Sequence, residues 1–500
     1  MAQERYVLTL DQGTTSSRAL VIDKKGRIIT SSQQEFPQIY PKAGWVEHDP
    51  FAILNSQIEV AKQAIDQIGV DNIATIGITN QRETVVAWDR QSGQPVYNAI
   101  VWQDRRTSRF CDELKASGKE SLLRERTGLL SDAYFSGTKL HWLLNNIPEA
   151  AALADKGDLL FGTIDSWLIW NMTGRQQHVT DVTNACRTLL FNIHTGQWDQ
   201  ELQDLFHVPS SMLPEVKDCS ADFGLTNPTI FGREIPITGV AGDQQAATFG
   251  QMCTEKGMVK NTYGTGCFLV MNTGDEAVPS QNQLLTTIAW RRQGQTTYAL
   301  EGSIFIAGAV VQWLRDGLGL IRTSEQVEAL ANSVDDNGGV YMVPAFTGLG
   351  APHWDQYARG TILGLTRGSE KGHIARAALE SIAYQTQDVV AAMASDSGLP
   401  LKELRVDGGA SINDQLMQFQ ADVLNTHVVR PQILETTGLG AAYFAGLHTG
   451  FWEDLNELQA LWQKECTFEP SHDRQTYDGY LRKWHKAVNH AKGWAQDDDG

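Results

Sequence analysis

Short apolar runs separated by tight polar turns open the chain: Tyr6 to Leu10, Ala19 to Asp23 and, after the Lys25-Gly26 turn, Arg27 to Thr30. That pattern predicts three antiparallel strands. The spacing then changes, and Ile53, Leu54, Ile58, Ala61, Ala64 and Ile65 recur near the helical period, so Phe51 to Ile68 reads as an amphipathic helix. Ile73 to Thr79 is a β-branched strand whose end delivers Asn80-Gln81-Arg82-Glu83. Strand, helix and strand in alternation point to an α/β domain with ligand residues at strand ends.

The second half follows the same order. Strands flank Gly264, another ends at Glu301-Gly302, and helices are expected over Ile304 to Arg315 and from about Lys371 to Ala394. The strand Leu404 to Val406 then meets Asp407-Gly408-Gly409-Ala410 before a helix from about Asn413 to Leu424. A chain of 500 residues is too long for one ordinary core. Two domains are expected, 1–252 and 253–500, divided just after Ala241-Gly242-Asp243-Gln244-Gln245.

Composition narrows the function classes. Hydrophobic and charged shares of 42% and 20% are those of a globular protein, and no apolar run is long enough to span a bilayer. A cytoplasmic location is expected, because Glu4, Arg5 and Asp11 also interrupt any signal-peptide core. The net charge of −18 repels polyanions and argues against nucleic acid or an anionic membrane as partner. The six cysteines have no metal-ligand spacing and are read as reduced, mostly buried thiols.

The candidate chemistry sits in two turns. Asp11-Gln12-Gly13-Thr14-Thr15-Ser16-Ser17-Arg18 joins two apolar strands, and a glycine with consecutive hydroxyl residues lets N–H and O–H groups converge on phosphoryl oxygens. Asp11, at the strand end, can hold Mg²⁺ through water. A polar hairpin tip uses the same residue types, so this turn alone decides nothing. The device recurs at Thr262-Tyr263-Gly264-Thr265-Gly266, between the runs Gly257 to Asn261 and Cys267 to Met271. Two such hairpins suggest two related domains facing one nucleotide, with Arg18 adding local positive charge in an acidic protein.

Taken with Thr79 to Thr84, Trp102, Tyr134 to Lys139, Gly242 to Gln245, Asn261 to Phe268 and Asp407 to Gly409, these stretches resemble the FGGY family of carbohydrate kinases over essentially the whole chain. The resemblance implies two ribonuclease H-like, actin-like ATPase domains flanking a central cleft. It implies transfer of the ATP γ-phosphoryl group to a terminal hydroxyl of glycerol, with Mg²⁺ as cofactor and Asp243 as general base. Arg82, Glu83, Tyr134, Asp243 and Gln244 match the family's acceptor-binding positions, with Trp102 and Phe268 against the carbon chain. Thr14, Thr15, Ser16 and Arg18 match phosphate-holding positions, as do Gly264 and Thr265. Gly308, Gln312, Gly409, Ala410 and Asn413 match those around ribose and adenine, and Asp11 and Asp243 those near the metal. A homo-oligomer, dimer or tetramer, is the family's habit. Another sugar kinase of this fold, or an actin-like ATPase without an acceptor, is the competing reading. The tail after about Phe468, ending in Asp497-Asp498-Asp499-Gly500, matches only loosely and is expected to fray.

Overall fold

The computed structural model describes residues 5–471 and 473–496; the last four residues of the tail lie outside them. Strands β1 (Tyr6–Gln12), β2 (Ser16–Ile22) and β3 (Ile28–Glu35) form the expected antiparallel meander, and β4 (Ile73–Asn80) and β5 (Ile237–Gly242) extend it in parallel, in the order β5-β4-β1-β2-β3. The second sheet repeats this connectivity. Its strands β6 (Met258–Tyr263), β7 (Cys267–Gly274), β8 (Leu285–Arg292), β9 (Gln295–Ile304), β10 (Glu403–Asp407), β11 (Val428–Pro431) and β12 (Lys464–Phe468) lie in the order β8-β9-β7-β6-β10-β11-β12. Matching β6, β7, β9, β10 and β11 to β1 through β5 reproduces both the order and the mix of antiparallel and parallel pairs. The duplication suggested by two hairpins is therefore one of whole sheets, and the fold is α/β with two such domains.

Helix α1 (Pro50–Asp66) covers the first sheet with Ile53, Leu54, Val60, Ala61 and Ala64, and the Asp49 carboxylate caps it by accepting from the Phe51 N–H at 2.8 Å. Helices α2 (Ser136–Asn146) and α3 (Asp243–Gly250) follow in the first half. In the second half lie α4 (Gly308–Asp316), α5 (Lys371–Ser397), α6 (Asp414–Leu424), α7 (Thr436–Thr449) and α8 (Arg474–Ala491). Two sequence expectations are corrected here. The helix expected from Ile304 begins only at Gly308, because Ile304 belongs to β9, where it pairs with Cys267. Among the described residues the tail after Phe468 is packed rather than frayed. Trp484 of α8 is fully buried, donates to the Asp388 carboxylate at 2.8 Å and stacks on Tyr384 at 5.3 Å. Among the described residues no helix is long and apolar enough to cross a membrane.

The two sheets fall on either side of residue 252, but the halves are not separate packing units. Helix α7 comes from the second half and lies on the first sheet, so one core cluster mixes Val7, Leu20 and Ile22 with Leu439, Ala442 and Phe444. Phe444 stacks on Phe249 of α3 at 4.0 Å. The helices α3 and α7 approach backbone to backbone: a Cβ at Gly440 would overlap the Ala246 carbonyl, and one at Gly250 the Thr436 carbonyl. Gly440 lies in the helix interior, so propensity alone makes Gly440→Ala stabilising by about 1 kcal/mol. The close approach reverses the sign, and the substitution is expected to destabilise by about 2 kcal/mol or more, read as a lowered urea midpoint.

Candidate active site

Parallel register brings the strand ends of the first sheet to one level: Asp11 is opposite Thr79, and Thr79 is opposite Ala241, so Asp11, Gln81-Arg82-Glu83 and Asp243 emerge together. The Gln81 N–H continues the ladder to the Gln12 carbonyl at 2.7 Å. The chain then turns sharply. Thr84 N–H donates to the Arg82 carbonyl at 2.7 Å across Glu83, whose φ of 60° is left-handed, which is unusual for a side-chain-bearing residue. This turn holds adjacent charged residues inside the protein, with Arg82 3% and Glu83 1% exposed. They are not a solvated surface pair.

Arg82 Nε lies 3.2 Å from an Asp243 carboxylate oxygen, and its terminal nitrogens donate to Glu301 at 2.6 and 3.0 Å, to Gln245 at 3.2 Å and to the Tyr134 hydroxyl at 3.4 Å. Asp243 is the first residue of α3, where the helix N-terminus suits a carboxylate, and its side chain stays one-third exposed. Tyr134 is presented by a turn that Lys139 closes from α2. The Lys139 ammonium donates to the carbonyls of Ala133, Tyr134 and Phe135 at 2.6, 2.7 and 3.1 Å, although burial pulls its pKa down to about 7. Trp102 packs edge-on to Tyr134 at 5.6 Å and donates through Nε1 to the Thr14 hydroxyl at 3.0 Å, tying Tyr134 to the first hairpin. Gln244 accepts from buried Lys260 at 2.6 Å, and the same ammonium reaches the Phe268 carbonyl at 3.3 Å. The expected acceptor residues are thus one connected group.

In the first hairpin Gly13 N–H donates to the Ser16 carbonyl at 2.9 Å, and Thr14, Thr15 and Ser16 form the turn. Arg18 departs from expectation. It pairs with Asp11 at 3.2 Å and with Glu435, so its charge is already taken up by two carboxylates. Burial first, then the nearby carboxylates of Glu435 and Asp243, raise Asp11 to about 6 against the opposing pull of Arg18. Excess negative charge there suits a hard cation, and Asp11 and Asp243 supply the oxygen donors Mg²⁺ takes. Among the described residues no three His, Cys, Asp or Glu side chains converge to hold a metal unaided, so an ion there would complete its shell with water or ligand oxygens.

The remaining residues converge elsewhere. Gly264, Thr265, Gly308, Gln312, Gly409, Ala410 and Asn413 all line one cleft of about 410 Å³ between the second hairpin, α4 and the start of α6. That size suits a small-molecule ligand. Thr14, Thr15, Ser16 and Arg18 are not among its walls. Gly308 is the first residue of α4 and lies against the hairpin, its N–H donating to the Gly264 carbonyl at 2.9 Å. A larger recess of about 590 Å³, lined by Gln177, Asn227 and His448, contains none of the expected site residues. Sequence reasoning missed Glu301, Arg187, Lys260 and Glu435, and on the cleft Ser324, Glu325 and Glu328. A charged residue inside an apolar strand was the available signal for Glu301 and Lys260.

Family models for the N-terminal and C-terminal domains of the FGGY family of carbohydrate kinases match residues 6–250 and 259–448. The chain belongs to this FGGY family. A protein named glycerol kinase from Burkholderia multivorans is 60% identical over 497 residues, covering 99% of both chains. One of that name from Chromobacterium violaceum is 60% identical over 496 residues, again covering 99% of each. A crystal structure of Plasmodium falciparum glycerol kinase with ADP superposes with a TM-score of 0.93 at 39% identity, covering 98% of each chain.

The raised Asp11 carboxyl has a measurable consequence without ligands. Between about pH 4 and 6 the unfolded chain ionises this group while the folded chain keeps it protonated, so its contribution to stability falls through that window and stays low above it. Asp11→Asn is expected to raise the unfolding free energy by about 2–3 kcal/mol near pH 7.5 and to leave it unchanged near pH 4. Urea titrations at the two pH values check this, and a loss at the higher pH would mean that the Arg18 pair dominates.

Proposed function

We propose that the protein phosphorylates glycerol at a terminal hydroxyl with ATP, giving sn-glycerol 3-phosphate and ADP. The observation that carries this reading is the meeting of Asp11, Arg82 and Asp243 at one level of the first sheet in a chain 60% identical, end to end, to proteins named glycerol kinase. Residues 1–252 would carry the acceptor side and 253–500 the nucleotide cleft. Asp243 is the proton acceptor: its carboxylate is partly exposed, while Arg82 and its own helix start orient it. Arg82, Glu83, Tyr134 and Gln244 supply matched donors and acceptors to the triol, and burial makes each costly to leave unpaired. Trp102 and Phe268 bound the carbon chain, limiting its length.

The seven cleft residues would receive the nucleoside, and the turns at Thr14 to Ser16 and Gly264-Thr265 the phosphates. Mg²⁺ would be held by Asp11 and Asp243, and when bound it neutralises phosphate charge. A cytoplasmic location and a homo-oligomer belong to the same reading, the latter tested by light scattering.

An assay with ATP, Mg²⁺ and a panel of polyols, reading product against bare ATP hydrolysis, separates this reading from its rivals. Glycerol is expected to be the preferred acceptor; hydrolysis without product would favour an ATPase. Asp243→Asn is expected to lower kcat for glycerol by about 10²- to 10⁴-fold with nucleotide affinity near normal, measured by calorimetry. Turnover within about tenfold of wild type would remove Asp243 from the role. Trp102→Ala is expected to relax selectivity toward longer polyols; equal loss for all acceptors would make Trp102 a folding residue.

A further inference from the structure

The acceptor residues of the first half are held by a side chain from the second. Glu301 lies on β9, fully buried, and its two carboxylate oxygens accept from both terminal nitrogens of Arg82 at 2.6 and 3.0 Å. This two-point pair fixes the plane of the guanidinium, with its Nε 3.2 Å from an Asp243 carboxylate oxygen. The same carboxylate accepts from Arg187 Nη2 at 2.9 Å, and Arg187 Nε donates to Glu83 at 2.6 Å. Arg187 is itself fully buried. Two arginines and two glutamates therefore close a neutral, interior box with Glu301 at its centre. Burial disfavours the Glu301 charge, yet Arg187 and Arg82 together draw the carboxyl down to about 2, so it stays ionised throughout the working pH range.

We propose that Glu301 is the positioning residue of the acceptor site, holding Arg82 directly and Glu83 through Arg187 so that acceptor geometry depends on the register between the two sheets. The inference rests on the reading of Arg82 and Glu83 as glycerol-binding residues. Neutralising Glu301 leaves Asp243 as the ionised partner nearest Arg82 and frees the guanidinium to rotate toward it. The acceptor then meets a misaligned donor set. The nucleotide cleft contains neither Arg82 nor Glu301 and is left as it was.

The test compares wild type, Glu301→Gln, Arg82→Gln and the double variant, with KM for glycerol and ATP, kcat and a thermal melt for each. Glu301→Gln is expected to raise KM for glycerol by about tenfold or more while KM for ATP changes by less than about threefold. Because Glu301 acts on Arg82 directly and on Glu83 through Arg187, the double variant is expected to be worse toward glycerol than Arg82→Gln alone, but by clearly less than the product of the two single effects. A glycerol KM within about twofold of wild type, equal rises for both substrates, or multiplied effects in the double variant would each overturn the proposal. If Arg82→Gln itself leaves the glycerol KM unchanged, the acceptor reading fails and the positioning role with it. Should Glu301→Gln not fold, Glu301→Asp keeps the charge and withdraws it by one methylene. A selective rise of about threefold in glycerol KM is then expected, and no rise would overturn the role.

Discussion

Between Asp11 on one side and Ala241 on the other, Thr79 fixes the register of three parallel strands, and the cluster of Asp11, Arg82 and Asp243 exists because that register holds. A slip of one residue would turn Asp11 and the residues beside it to the opposite face of the sheet. The strands are short and buried, with every residue of β4 inside, so the hydrophobic pattern enforces the alignment from both faces. Asp11 is still within the ladder, whereas Arg82, Glu83 and Asp243 are placed just past the last paired positions. There the ladder no longer needs their backbone, and the γ-turn at Glu83 redirects the chain without breaking β4.

The electrostatics of the site follow from how little of its charge is free. Arg82 and Arg187 are committed to Glu301 and Glu83, and Arg18 to Asp11 and Glu435. The walls of the cleft beside the second hairpin include Glu325 and Glu328 and, among the described residues, no lysine or arginine. A phosphate held there would meet backbone N–H groups and hydroxyls rather than a basic patch. Fixed dipoles and buried pairs hold their geometry better than long solvated side chains, and the transfer of a phosphoryl group rewards positioning above all.

Much of this was legible in the sequence, for physical reasons. The short apolar runs at Tyr6 and Ala19 survive because nearly all of their residues are buried, and the helical spacing after Phe51 because one face is. Hairpin residues were legible because Gly264 and Thr265 belong to a turn with restricted chemistry. The start of α4 was misread, since Ile304 suits a helix core as well as a strand, and only pairing with Cys267 decides between them. Arg18 looked like a free cation because its partner Glu435 is 417 residues away. Glu301 stood out only as a charge inside an apolar strand; its partners, like those of Arg187, lie across the seam, where no local pattern encodes them.

The seat of α7 on the first sheet carries a consequence for how such a duplicated architecture can come apart. Each sheet looks self-sufficient in its topology, yet the layer shielding Val7, Leu20 and Ile22 is threaded in from beyond residue 430. A gene severed at the midpoint would yield an amino-terminal fragment with an oily flank open to water, and a carboxy-terminal fragment carrying a helix with nothing to rest on. The two lobes therefore share one packing layer, and parting them at that layer would expose the apolar flank of the first sheet.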